Sequence, residues 1–270
     1  MQERSVMKKL MAICIAAGLM VFATSVVYAL PSDNFDDNSM DTSMWILYQE
    51  SPSVWFEEIN QRLETRSTGD AGNTMDMTAN YVANGWGLST AEDFSFKVDF
   101  HVSSLSGSGE YEYEVVLGLV EFGDMETMIN NGAAIGAEFG DFNGSESPFF
   151  WCDKTTNGIT TSEGQKSRSL DDGTLYVSYD TAADELYMSD TGYWAANNPF
   201  VTIHDLLQGE WGGGTVCPVL SGDASNIALA SGDDYLDNFV VDSGTIVLVP
   251  EPATICLLAI GSLALIRKKK

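Results

Sequence analysis

The chain has 270 residues, of which 44% are hydrophobic and 11% aromatic, with 25 glycines and 39 acids against 13 bases. This composition excludes a disordered or collagen-like chain. Once the two terminal segments described below are set aside, 6 Lys and Arg face 37 Asp and Glu, a formal charge of -31; such a surface repels phosphate backbones and anionic lipid, which excludes nucleic acid as a partner and a polybasic membrane contact.

From the N-terminus, Arg4, Lys8 and Lys9 precede an apolar run from Leu10 to Val27, and Val27-Tyr28-Ala29 supplies small residues at the -3 and -1 positions of a cleavage site. The pattern predicts a secretory signal peptide with a helical apolar region over residues 1–29. Residues 30–248 then form one domain, long enough to bury a single substantial core.

Period-two patterns dominate that domain. Strands are expected at Trp45 to Gln49, Val54 to Ile59 and Arg62 to Arg66. Phe94, Phe96, Val98 and Phe100 alternate with Ser95, Lys97, Asp99 and His101, and Tyr111, Tyr113 and Val115 alternate with Glu110, Glu112 and Glu114. Each run places apolar residues on one face and polar residues on the other. Further strands are expected at Ala133 to Phe139, Phe149 to Cys152, Val216 to Leu220 and Leu236 to Val241. Leu175, Val177 and Tyr179, then Leu186 and Met188, flank the turn Asp180 to Asp184 as a hairpin. Only Met125 to Asn130 and Ile203 to Gln208 read as helical turns. Many short strands without crossover helices predict an all-β, two-sheet antiparallel sandwich of jelly-roll type.

Cys14 lies in the signal and Cys256 in the tail, which leaves Cys152 and Cys217 in the exported domain. Two cysteines in an oxidising compartment are expected to pair. The bridge would close a loop of about 65 residues and contribute about 3–4 kcal/mol. With no Cys-x-x-Cys, no Gly-x-Ser-x-Gly and only His101 and His204, neither a zinc centre nor a serine-hydrolase signature is present.

Residues 249–270 hold Pro250-Glu251-Pro252, the apolar stretch Ala253 to Ile266 and the basic cluster Arg267 to Lys270. As a helix the 14 apolar residues would rise ~21 Å, short of a bilayer core of ~30 Å. A processing signal explains the segment better than a permanent span, and the basic cluster would hold its end on the cytoplasmic side. This triplet, helix and basic cluster resemble the PEP-CTERM sorting signal of Gram-negative bacteria. The resemblance implies recognition and cleavage by an exosortase, transient anchoring in the inner membrane, and delivery to the cell surface or to an exopolysaccharide biofilm matrix.

A second resemblance covers the domain. Asn34-Phe35-Asp36-Asp37, Asp41 to Trp45 and Asn60 to Glu64 are similar to the opening strands of concanavalin A-like lectin/glucanase domains. Gly173 to Asp180 with Asp184 to Ser189 resembles the paired strands of laminin G-like sandwiches, and Tyr235 to Val241 their closing strand. The resemblance implies a jelly roll whose two ends meet in one sheet.

Three kinds of chemistry are open on this frame. Asp36 and Asp237, near the two ends, are candidate ligands of a structural calcium, a hard cation that takes carboxylate oxygens and is found near the termini of related sandwiches. Trp194 and Trp211 sit in loop-like sequence and are candidate sugar platforms, since an indole face stacks on a pyranose. Glu110, Glu112 and Glu114 resemble the Glu-x-Asp-x-Glu strand of jelly-roll glucanases, which implies Glu110 as nucleophile, Glu112 as tuner and Glu114 as acid/base. The leading expectation is a noncatalytic lectin-like module binding a polysaccharide or matrix protein. A glycoside hydrolase using the glutamate strand and a purely structural acidic matrix protein are the alternatives.

Overall fold

The computed structural model describes residues 29–49, 52–69, 78–106, 110–122, 131–141, 146–169 and 171–248. The expected signal helix, the turn at Met125 to Asn130, the apolar C-terminal stretch and Pro250, Glu251 and Pro252 lie outside these residues. Among the described residues no helix is long and apolar enough to cross a membrane.

The alternating patterns become β1 (Ser32–Asp33), β2 (Trp45–Gln49), β3 (Val54–Ile59), β4 (Arg62–Thr68), β5 (Thr78–Ala83), β6 (Trp86–Ser89), β7 (Phe94–Val102), β8 (Tyr111–Glu121) and β9 (Gly132–Asp141). They continue as β10 (Glu146–Thr156), β11 (Ile159–Ser167), β12 (Asp172–Asp180), β13 (Glu185–Ser189), β14 (Val201–His204), β15 (Thr215–Ser225), β16 (Ala228–Leu229), β17 (Asp234–Ser243) and β18 (Ile246–Leu248). One sheet runs β14-β13-β12-β7-β17-β4-β16, with β1 on β17 and β3 on β4. The other runs β11-β10-β9-β8-β15-β5-β2, with β6 joining β15 to β18. Ladders in both sheets are antiparallel, for example β7 with β12 and β8 with β9. The expected jelly-roll sandwich is therefore the observed fold. The opening strand meets β17 in one sheet, Ser32 pairing with Val240 and Asp33 with Phe239, whereas the last described strand, β18, joins the other sheet through β6.

The inner faces build one core. Phe94, Phe96 and Val98 of β7 and Tyr113, Val115 and Leu117 of β8 are all fully buried. Burial stabilises each such side chain by about 1.5–3 kcal/mol. Phe100 of the first sheet meets Phe150 of the second edge-on, ring centroids 5.7 Å apart. Trp45 packs edge-on to Phe239 at 5.0 Å and its Nε1–H donates to Asp33 Oδ2 at 2.9 Å, which fastens the opening segment to the closing strand. Arg168, 5% exposed, links the sheets by donating from Nε to the Glu138 carbonyl at 3.2 Å and from Nη2 to the Val102 carbonyl at 3.1 Å.

Two expectations are corrected. Ile203 and His204 belong to β14, paired with Leu186 and Glu185, and the only helical residues of that stretch form the single π turn Leu206–Glu210. The Ile203 side chain is recruited to the sheet, 2% exposed, before Asp205 turns the chain with φ at 53°.

The second correction concerns the cysteines, which are free and buried rather than bridged. They stand on β10 and β15, three strand spacings apart in the order β10-β9-β8-β15, or about 14 Å at ~4.8 Å per spacing. Cys152 pairs with Ile135, and Ile135 with Leu117, an inward residue; Cys217 pairs with Val120, an odd number of residues further on. The two thiols thus point to opposite faces of one sheet, whereas a disulfide needs Cα atoms within about 7 Å.

Candidate functional site

Register across the second sheet assembles a row of carboxylates. Because Tyr113, Val115 and Leu117 of β8 fill the core, Glu112, Glu114 and Val116 face outward. Glu114 is directly opposite Asp223 of β15 on one side and Glu138 of β9 on the other. Paired residues of adjacent antiparallel strands stand ~4.5–5.5 Å apart, so three acids share one patch of the outer face. Glu112 lies two residues along the same face, opposite Ser225 and Gly140.

Aromatic residues border the row on β10. Phe149 pairs with Glu138, and Trp151 pairs with Gly136, which itself faces Val116. Gly136 leaves the space that the indole fills: a Cβ there would come within 2.3 Å of Trp151 Cε2 and Nε1. The ring therefore lies across β9, and its Nε1–H donates to Glu114 Oε2 on the strand beyond. Phe150 and Cys152, between and after these residues, point inward and are buried, so Phe149 and Trp151 face out by the ordinary alternation of a strand.

Crowding of like charges in partial burial shapes the electrostatics. Burial, then repulsion from Glu138 and Asp223, holds the Glu114 carboxyl well above the ordinary carboxylate range, against the opposing pull of the Trp151 hydrogen bond. Burial, then Glu112, Asp223 and Asp153, raises Glu138 to about 8. Burial also raises Glu112. The patch consequently retains protons at neutral pH.

The residues expected from sequence are distributed differently. Glu112 and Glu114 share the outer face, whereas Glu110 is an exposed bend residue ahead of β8 whose carbonyl accepts from Asn226 Nδ2 at 3.2 Å. Trp194 is half-buried, with a positive φ of 67°, beside Asp180 and Tyr187. Its backbone N–H donates to Ser178 Oγ at 3.0 Å, on the outer side of the first sheet, so Trp194 is remote from the carboxylate row. Trp211 is not an exposed platform: it is 7% exposed and part of the core. Its N–H closes the π turn onto the Leu206 carbonyl at 2.9 Å, and it follows the buried Leu206 and Leu207 inward.

Asp36 lies close enough to Asp237 to raise its carboxyl, after burial and together with Asp99. Among the described residues, however, no group of three Asp, Glu, His or Cys side chains has the arrangement of a metal site.

Glu138, Asp223 and Trp151 escaped the sequence reading as partners of Glu114. The available signals were the Phe149-Phe150-Trp151-Cys152 alternation and the bare Gly136 opposite it, but the pairing itself is a matter of inter-strand register.

Residues 248–270 match the PEP-CTERM protein-sorting motif, which directs export and C-terminal sorting to the surface of Gram-negative cells and implies recognition by an exosortase. No curated protein matches the sequence. Among solved structures, the Emp46p carbohydrate recognition domain in its potassium-bound form is similar with a TM-score of 0.52 at 12% identity, over 81% of this chain and 97% of that one. Winged bean acidic lectin complexed with methyl-alpha-D-galactose is similar with a TM-score of 0.50 at 12% identity, over 79% and 98%. An endo-1,3-beta-glucanase from Streptomyces sioyaensis gives 0.49 at 12% identity, over 84% and 99%. The chain joins a PEP-CTERM sorting motif to a jelly-roll sandwich of the concanavalin A-like lectin fold.

Proposed function

We propose that the protein is a noncatalytic, lectin-like component of the cell-surface matrix that binds polysaccharide on the outer face of its second sheet. The observation that carries this reading is the indole of Trp151, held flat across Gly136 and fixed to Glu114. A pinned, partly exposed ring gives a pyranose a stacking surface without the entropic cost of ordering it, and the neighbouring carboxylates supply acceptors for hydroxyl groups. The test is binding of the full chain to a panel of neutral, amino and acidic polysaccharides. Saturable binding that Trp151→Ala removes, with no shortening of the polymer, supports the reading; absence of binding across the panel overturns it.

Glycoside hydrolysis is the second reading, and a specific observation favours it: the Glu114 carboxyl is raised well above the ordinary carboxylate range beside the less perturbed Glu112, a difference suited to an acid and its partner. Against it, the exposed Glu110 stands apart from the row as a nucleophile. Release of reducing sugar that Glu114→Gln abolishes would establish hydrolysis and exclude the noncatalytic reading.

A further inference from the structure

Glu138 is 7% exposed, and burial together with three neighbouring acids accounts for its surroundings. No hydrogen bond to its carboxylate is formed among the described residues, although its backbone carbonyl accepts from Arg168. Its side chain is aimed into the patch that Glu114 and Asp223 share. Its carboxylate oxygens are nevertheless not sealed from solvent, so the donor of a bound ligand can reach them and take the place of water.

We propose that the ligand of this face is a cationic amino sugar, a hexosamine unit with a free ammonium group, its ring stacked on Trp151 and its ammonium set between Glu138 and Glu114. The inference rests on the carbohydrate-binding reading above and specifies its ligand.

Charge decides against the other ligand classes. Uronic or sulfated sugars are repelled by the row and by a domain whose charge is -31. A neutral sugar donates hydroxyl groups but supplies no positive charge to replace the protons that the row retains. A single metal ion would need three groups converging on a point, and among the described residues no such convergence occurs. The carboxylates instead stand in a line across three strands, with an aromatic surface one residue along. That geometry suits an extended ligand carrying a charge at one position and an apolar ring face at the next. An ammonium donates charge-assisted hydrogen bonds to carboxylates, stronger than those of a hydroxyl, and its approach to the indole is itself favourable. On binding, it takes the place of the protons that the row otherwise retains.

The test compares three short probes on the full chain at moderate salt: a glucosamine oligomer, its N-acetylated counterpart and a cello-oligosaccharide of equal length. The expected result is binding of the glucosamine oligomer at least about tenfold tighter than of the other two. Glu138→Gln should remove that preference while leaving the weak binding of the N-acetylated oligomer, and Trp151→Ala should weaken all three. A lysine oligomer controls for attraction to the acidic surface at large. Equal binding of the three sugars, lost with Trp151→Ala, overturns the amino-sugar inference and leaves carbohydrate binding standing. Failure of all three to bind overturns both. Binding of glucosamine that neither variant changes, and that the lysine oligomer matches, assigns the effect to the general surface and overturns the inference.

Discussion

Trp151 occupies the volume that a side chain at Gly136 would need, so that a Cβ at position 136 would lie 2.3 Å from the indole. A glycine at this position is thus a requirement of the neighbouring strand rather than of its own backbone conformation. Gly136→Ala should push the ring off β9 and break its bond to Glu114. Overpacking at a site that can shift toward solvent costs about 1–3 kcal/mol. The melting temperature should fall modestly while saccharide binding falls by at least about tenfold, equivalent to ~1.4 kcal/mol. Unchanged binding in a folded Gly136→Ala protein would remove Trp151 as the platform.

Arg168 ties the two sheets through two carbonyls, Glu138 in one sheet and Val102 in the other. It is also the positive charge acting on fully buried Asp234, whose carboxyl burial raises well above its ordinary range. Arg168→Met should destabilise the domain by about 3 kcal/mol or more, since charged hydrogen bonds contribute ~1.5–3 kcal/mol each and both acceptors stay buried. Arg168→Lys should recover less than half of the loss, because one ammonium lacks the planar fork that spans two carbonyls. Urea midpoints measured for the parent and the two variants check this, and equal midpoints for the parent and Arg168→Lys would show that charge alone matters.

The sequence was legible where burial is one-sided. Phe94, Phe96, Val98 and Phe100 announce β7, and β2 and β3 begin and end where the alternation predicts. Strands that are polar on both sides or very short were not legible. Thr160, Thr161, Ser162 and Glu163 of β11 are exposed because this strand is the sheet edge, so no apolar face marks it. In the site, the outward facing of Glu112 and Glu114 followed from one strand's alternation. Their grouping with Asp223 and Glu138 depends on pairings between residues 109 and 24 positions apart, which only the fold supplies. Oxidising compartments favour disulfides, but that argument contains no geometry, and so it could not foresee Cys152 and Cys217 on opposite faces.

The carboxylate row gives stability a pH dependence opposite to that of ion-paired acids. Glu138 is raised from 4.5 to about 8, so between these values the folded state holds a proton that the unfolded chain has released. This contribution is fully present below about pH 4.5, where both states are protonated, and is lost as pH rises through 8. Folding stability should therefore decline from pH 5 to pH 8, by on the order of a few kcal/mol from this row. Glu138→Gln should flatten the decline and melt higher than the parent at pH 8. If the parent and the variant show the same slope of melting temperature against pH over this window, Glu138 is not the group responsible.

The separation of the two cysteines makes the redox behaviour of the domain testable without any ligand. Burial raises the Cys217 thiol to about 12 and pushes Cys152 up as well, with the Asp153 charge adding to it, so neither is a ready thiolate at neutral pH. Alkylation of the folded protein without reductant should be slow at both positions, and after unfolding in denaturant it should label both Cys152 and Cys217. Reductant should leave the melting temperature unchanged, since no bridge constrains the unfolded chain. Cys217→Ala should cost only about 1–2 kcal/mol, the loss of a small buried side chain whose Sγ sits 3.5 Å from the Trp86 carbonyl. Absence of labelling at both positions in the unfolded, unreduced protein, together with a lower melting temperature in reductant, would instead require a bridge and hence a rearrangement of the strands from β10 to β15.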